Sequence, residues 1–121
     1  MARFLFVVPP LTGHTNPTLA VAAELIQRGH SVAWVAHPGQ VKPLLPEDAK
    51  LYALDDSVPG SLVDSMTSQA QTVRGMAALK FMWADFFLPL ATSMIPGVEH
   101  AVDDFKPDLL IVDQQALAGA L

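Results

Sequence analysis

His14 and Asp113 are the two residues whose types and positions allow proton chemistry. His14 follows the apolar run Phe4 to Val8, and Asp113 follows the apolar run Leu109 to Val112 at once. If both runs are strands of one parallel sheet, both side chains reach its C-terminal rim, where open α/β sheets place their ligands. Imidazole is the side chain best suited to act as a general base near neutral pH. A carboxylate on its other nitrogen would fix the tautomer and stabilise the imidazolium that forms. The chain has no cysteine and no G-x-S-x-G, so no protein nucleophile is evident and the base would act on a substrate hydroxyl or on water. Each residue also has a plain structural use. A histidine in a strand-to-helix loop serves at the surface or as a cap, and an Asp after a strand commonly caps the next helix.

The elements that must position this pair are legible in part. Phe4 to Val8 is long enough for one buried strand, and Pro9 and Pro10 stop it because neither can donate a ladder hydrogen bond. Asn16 and Pro17 read as N-cap and first helical residue. Leu19, Ala22, Ala23 and Ile26 recur at helical spacing, Arg28 sits in the last turn, and Gly29 can take the left-handed position that ends the helix. His30 to Ala36 is a second strand, which makes a right-handed βαβ unit with parallel strands. His37-Pro38-Gly39 reads as a turn, Val41 to Pro46 as a short helix or turn, and Lys50 to Leu54 as a brief third strand at the sheet edge.

Beyond it, Asp55 to Gly60 is predicted as a loop and Ser61 to about Leu88 as helical, with Ser61 and Asp64 a variant capping box. Gly75 is a possible break. Leu79, Met82 and Phe86 share one face, and Trp83, Phe87 and Leu90 a second. A helix apolar on nearly all sides is deeply buried or lines a pocket. Pro89 should end or kink it. Ala91 to Phe105 is predicted as another helix, broken near Pro96-Gly97, and Leu109 to Val112 as a fully buried strand. The remaining Gln114 to Leu121 reads as the opening turns of a helix. His30 and His37 read as turn residues, His100 as solvated, and Asp55-Asp56 and Asp103-Asp104 as acidic surface.

Composition bounds the function classes. At 121 residues and 51% hydrophobic content the chain can fill one small core. Its mean hydropathy of +0.35 is high. Yet no stretch reaches the roughly eighteen uninterrupted apolar residues of a membrane span, and the N-terminus carries no secretory signal. The absence of cysteine fits a cytoplasmic protein and excludes thiolate metal sites. A net charge of −5, with seven scattered Lys and Arg, argues against a nucleic-acid partner. One glycine at Gly13 is no dinucleotide fingerprint, and no P-loop is present.

The stretch PPLTGHTNPTLAVAAELIQRGHSVAWVAHP resembles the opening of family 1 glycosyltransferases of the GT-B fold. These begin with an apolar strand, G-H-x-N-P, an amphipathic helix and R-G-H-x-V at the second strand. KPDLLIVDQQALAGAL resembles their later P-D-[LV]-[LIV]-[LIV]-x-D stretch. The resemblance covers both ends of the chain well and residues 40 to 105 poorly. It implies a Rossmann-like parallel α/β sheet with flanking helices. His14 matches the base that deprotonates the acceptor hydroxyl as it attacks the anomeric carbon, with inversion. Asp113 matches the acid paired with that histidine. Leu11, Thr12 and Gly13 match the loop beside the reacting centre, where a small residue lets substrate approach the backbone. Met82 and Phe86 fall where relatives line an apolar acceptor pocket. The implied acceptor is a hydrophobic small molecule and the donor a UDP- or TDP-sugar, with no metal or other cofactor.

Family members run to several hundred residues in two Rossmann-like domains. Residues 1–121 are expected to form part of the N-terminal, acceptor-binding domain. The C-terminal domain that binds the nucleotide sugar is expected in cis or in trans, and the chain alone is expected to be inactive. Two alternatives fit the same motifs. One is a peptidoglycan-precursor N-acetylglucosaminyltransferase, whose loop is richer in glycine. The other is a non-catalytic GT-B-like half that binds or activates a partner chain.

Overall fold

The computed structural model describes residues 1–47, 49–55, 75–113, 116 and 119. Four parallel strands form one sheet in the order β3-β2-β1-β4: β1 Arg3–Val7, β2 Ser31–Ala36, β3 Lys50–Ala53 and β4 Leu109–Val112. Helix α1 (Thr12–Gln27) crosses from β1 to β2, as a βαβ unit requires. A short helix α2 (Pro38–Val41) and a 3₁₀ turn (Lys42–Leu44) lead towards β3. After residue 75 come α3 (Met76–Phe81), a π-helical segment (Met82–Phe87) and α4 (Leu88–Phe105), which returns the chain to β4.

Side-chain alternation along the strands makes two cores. Leu5, Val7, Ala33 and Val35 meet Leu90, Ala91, Met94, Val98, Ala101 and Phe105 of α4 on one face. Phe6, Val8, Val32, Trp34 and Ala36 meet Ala22 of α1 on the other, with Leu19 and Leu25 packed alongside. The period-two pattern assigns each strand residue to one layer, so a one-residue slip would exchange the two sets.

Several boundaries differ from the sequence reading. Helix α1 starts at Thr12, with Leu11 in the N-cap position, and Pro17 lies inside it. Asn16 is therefore not the cap. The Leu11 carbonyl accepts the N–H groups of His14 (3.1 Å) and Thr15 (3.2 Å), which winds the first turn ahead of the proline. The buried stripe of α1 is Leu19, Ala22 and Leu25, while Ala23 and Ile26 face out, one step further round the helix. Its end is as expected. Gly29 sits at φ 88°, and the N–H groups of Gly29 and His30 return to the carbonyls of Ile26 and Leu25 as a Schellman motif.

Pro89 and Pro96 do not end the later helix. A proline at position i deprives the carbonyl of i−4 of its partner. For Pro17, Pro89 and Pro96 those residues are Gly13, Asp85 and Thr92, all exposed, so water can serve each carbonyl. A wider π-helical segment, Met82–Phe87, ends just before Pro89. Gly97 stays helical and lies directly against Leu54, whose terminal methyl would have to move to admit a Cβ.

By length and composition the run Met76–Phe105 is apolar enough to cross a bilayer. In this fold its apolar stripe covers the sheet instead. Strand β4, read as fully buried, stands at the sheet edge among the described residues, with Leu109 53% exposed and the remaining three residues half-buried. The expected loop at 56–60, the helix from Ser61 to residue 74 and most of the C-terminal helical turn lie outside the described residues.

Candidate active site

In the order β3-β2-β1-β4, β1 connects to one neighbour through α1, while its other neighbour, β4, arrives from far along the chain. The connections diverge between β1 and β4, and the crevice at their carboxyl ends is the topological switch point, where doubly wound sheets bind ligands. His14 and Asp113 both lie there. Asp113 is set by the sheet itself, because its N–H donates to the Val7 carbonyl at 3.0 Å and continues the β1–β4 ladder by one step. His14 is set by the turn after β1. The Leu11 N–H bonds the Pro9 carbonyl at 2.8 Å, and the Leu11 carbonyl then takes the His14 N–H.

These placements bring His14 Nδ1 to 2.8 Å from Asp113 Oδ2. The imidazole is 30% exposed and the carboxylate 20%, so the pair is partly shielded while still open to solvent. An ionised carboxylate can only accept a hydrogen bond, so in the neutral imidazole the proton lies on Nδ1 and the lone pair on Nε2. A histidine so oriented can take a proton through Nε2, and the carboxylate then steadies the imidazolium.

The pair lines a cavity of about 270 Å³ with Gly13, Pro17, Thr18 and Val21 of α1, Phe6 and Val8 of the β1 segment, and Ile111 and Val112 of β4. Its walls are largely apolar, with the His14–Asp113 pair among them. A Cβ on Gly13 would meet nothing within 4 Å, so the protein's own packing does not demand glycine there. Leu11 and Met82 sit elsewhere, in the partly buried layer against the α4-side core. The side chains of Thr12 and Phe86 lie outside the described residues. Among the described residues no three His, Cys, Asp or Glu side chains gather as a metal site would need.

Sequence reasoning missed the cavity walls Phe6, Val8, Thr18, Val21, Ile111 and Val112. Alternation along β1 would have put Phe6 and Val8 on the α1 side. The approach of Ile111 depends on β4 lying next to β1, which no local pattern encodes.

No protein-family model matches the sequence. The chain is 28% identical over 115 residues to NDP-glycosyltransferase YjiC of Bacillus licheniformis, a match over 93% of this chain and 27% of that protein. It is 29% identical over 130 residues to demethyllactenocin mycarosyltransferase of Streptomyces fradiae, over 93% of this chain and 24% of the relative. With zeaxanthin glucosyltransferase of Pseudescherichia vulneris it shares 26% identity over 121 residues, 100% of this chain and 28% of that enzyme. Among solved structures, the glycosyltransferase SnogD from Streptomyces nogalater superposes with a TM-score of 0.73 at 20% identity, over 98% of this chain and 31% of that one. Glycosyltransferase VinC in complex with DTDP gives 0.63 at 19%, over 98% and 31%. The resemblance read from the two motifs therefore stands: in sequence over nearly all of its length, and in fold, this chain is similar to family 1 glycosyltransferases of the GT-B fold, and it spans about a quarter of the length of the curated relatives it matches.

Proposed function

We propose that this chain supplies the acceptor side and the general base of an inverting glycosyltransferase. The observation that supports this best is the 2.8 Å contact between His14 Nδ1 and Asp113 Oδ2 at the switch point of the sheet. In the proposed reaction the acceptor hydroxyl oxygen attacks the anomeric carbon of a nucleotide sugar, and His14 Nε2 takes the hydroxyl proton. The bond from that carbon to the diphosphate oxygen breaks, and the nucleoside diphosphate leaves with the electron pair. Attack from the opposite face inverts the anomeric centre. Asp113 keeps the proton on Nδ1 and steadies the imidazolium.

The apolar wall beside the pair favours a hydrophobic small-molecule acceptor, which Gly13 is proposed to contact on that wall, with Leu11, Thr12, Met82 and Phe86 proposed to meet the part of it that extends past the cavity. The donor is proposed to be a UDP- or TDP-sugar held by a second domain, in the same polypeptide or in another. Its diphosphate needs positive partners or a helix N-terminus, which would be that domain's contribution.

The test is glycosyl transfer to a panel of apolar aglycones by the native polypeptide together with its donor domain. His14→Ala should lower kcat by about 10²- to 10⁴-fold, the usual worth of a positioned base, with acceptor affinity nearly unchanged. Asp113→Asn should follow it, since an amide no longer enforces the tautomer. Undiminished turnover in His14→Ala would sink the proposal.

A further inference from the structure

The first turn of α1 lacks one backbone hydrogen bond to the rest of its helix. Pro17 has no N–H, so the Gly13 carbonyl loses its partner just where His14 must be held. Side chains add other ties to this turn. Trp34 of β2, 1% exposed and stacked on Phe6 with ring centroids 5.6 Å apart, directs its indole Nε1–H to Thr18 Oγ1 at 3.0 Å. Indole can only donate, so the hydroxyl accepts there and its single proton goes to the Thr15 carbonyl, 2.6 Å away. Thr15, fully buried, in turn donates its hydroxyl to the Leu11 carbonyl at 3.2 Å. That same carbonyl accepts the backbone N–H of His14. Hydrogen bonds on either side of Thr15, joined through that residue's own covalent frame, thus connect the core of β2 to the peptide of His14 as a relay. Thr18 also lines the cavity that His14 and Asp113 share.

We propose that Thr18 and Trp34 are positioning residues for His14: the relay holds the first turn of α1 from the β2 side while Asp113 holds the imidazole from the β4 side. The catalytic meaning of this rests on the reading of His14 as a base. A hydroxyl serving only to satisfy a buried indole would leave the imidazole indifferent to its removal.

The test uses Thr18→Val, Thr18→Ser, Trp34→Phe and the Thr18→Val/Trp34→Phe double variant in the native polypeptide with its donor domain. Thr18→Val should lower kcat on the order of tenfold, as small misplacements of a reacting group do, a loss carried in kcat beyond any change in acceptor KM. Thr18→Ser should restore most of it. Trp34→Phe should match Thr18→Val, and the double variant should be no slower than either single one, because both cut the same relay. Proton–nitrogen spectra of the imidazole give a second readout independent of turnover. The His14 Nδ1–H signal should persist in Thr18→Ser and broaden or vanish in Thr18→Val and Trp34→Phe, with core amide signals unmoved in Thr18→Val. An unchanged Nδ1–H signal in Thr18→Val, or additive losses in the double variant, would overturn the inference. Full activity of His14→Ala beside a lost Nδ1–H signal in Thr18→Val would remove the base reading and leave the relay standing.

Discussion

Tyr52 is the chain's single tyrosine, which makes it a clean reporter at the residue scale. Its ring meets Phe105 and His100 edge-on, and its hydroxyl donates to Asp104 Oδ2 at 2.6 Å. Burial, then that hydrogen bond and the Asp104 charge, push the phenol up from 10.0 to about 12. Because the folded value is raised, the stabilisation is fully present below the ordinary value and is lost as pH rises from about 10 to about 12. A phenolate absorbance titration should show one step near the upper value, and Asp104→Asn should move it down. A step at the ordinary value in the native chain would refute the contact. The same scale shows what single residues disclose. His14 and Asp113 were legible because each follows an apolar strand and carries a chemically versatile group. The Trp34–Thr18 bond was not, since an indole finds its acceptor only once α1 lies across β2. Asp104, read as acidic surface, gained its partner in the same way, from a strand brought alongside the end of α4.

Elements were legible where sequence and backbone demand the same thing. Gly29 is the clearest case, a residue at φ 88° closing a Schellman motif. Space around it is open, so an added Cβ would cost only backbone strain. Gly29→Ala should therefore destabilise the chain by about 1–2 kcal/mol in denaturant unfolding, with the slope unchanged. The prolines misled because a proline's cost depends on what happens to the carbonyl it abandons. At Pro17, Pro89 and Pro96 that carbonyl belongs to an exposed residue, and helices continued through all three. Asn16-Pro17 had every local mark of a helix start. The turn at Leu11, built on its backbone carbonyl, moved the start upstream and placed His14 inside the helix.

For the whole molecule, α4 is the element on which one core depends. Met94 is fully buried at the middle of the layer over β1 and β2, so Met94→Ala should cost about 2–5 kcal/mol and lower the midpoint for strands and helices together. Separate transitions by fluorescence and far-UV dichroism would contradict a single cooperative unit. The α/β class and the βαβ unit were readable from periodicity. The position of β4 was not, because four apolar residues describe a buried centre and a half-covered edge equally well. That position has a kinetic consequence. His14 and Asp113 are 99 residues apart in sequence, and only the pairing of β4 with β1 brings them together. Closing so long a loop carries an entropic toll that grows with the logarithm of its length, and contacts of such separation slow folding. The His14–Asp113 contact therefore forms no sooner than β4 docks: a chain stalled before that step would hold a histidine with no carboxylate.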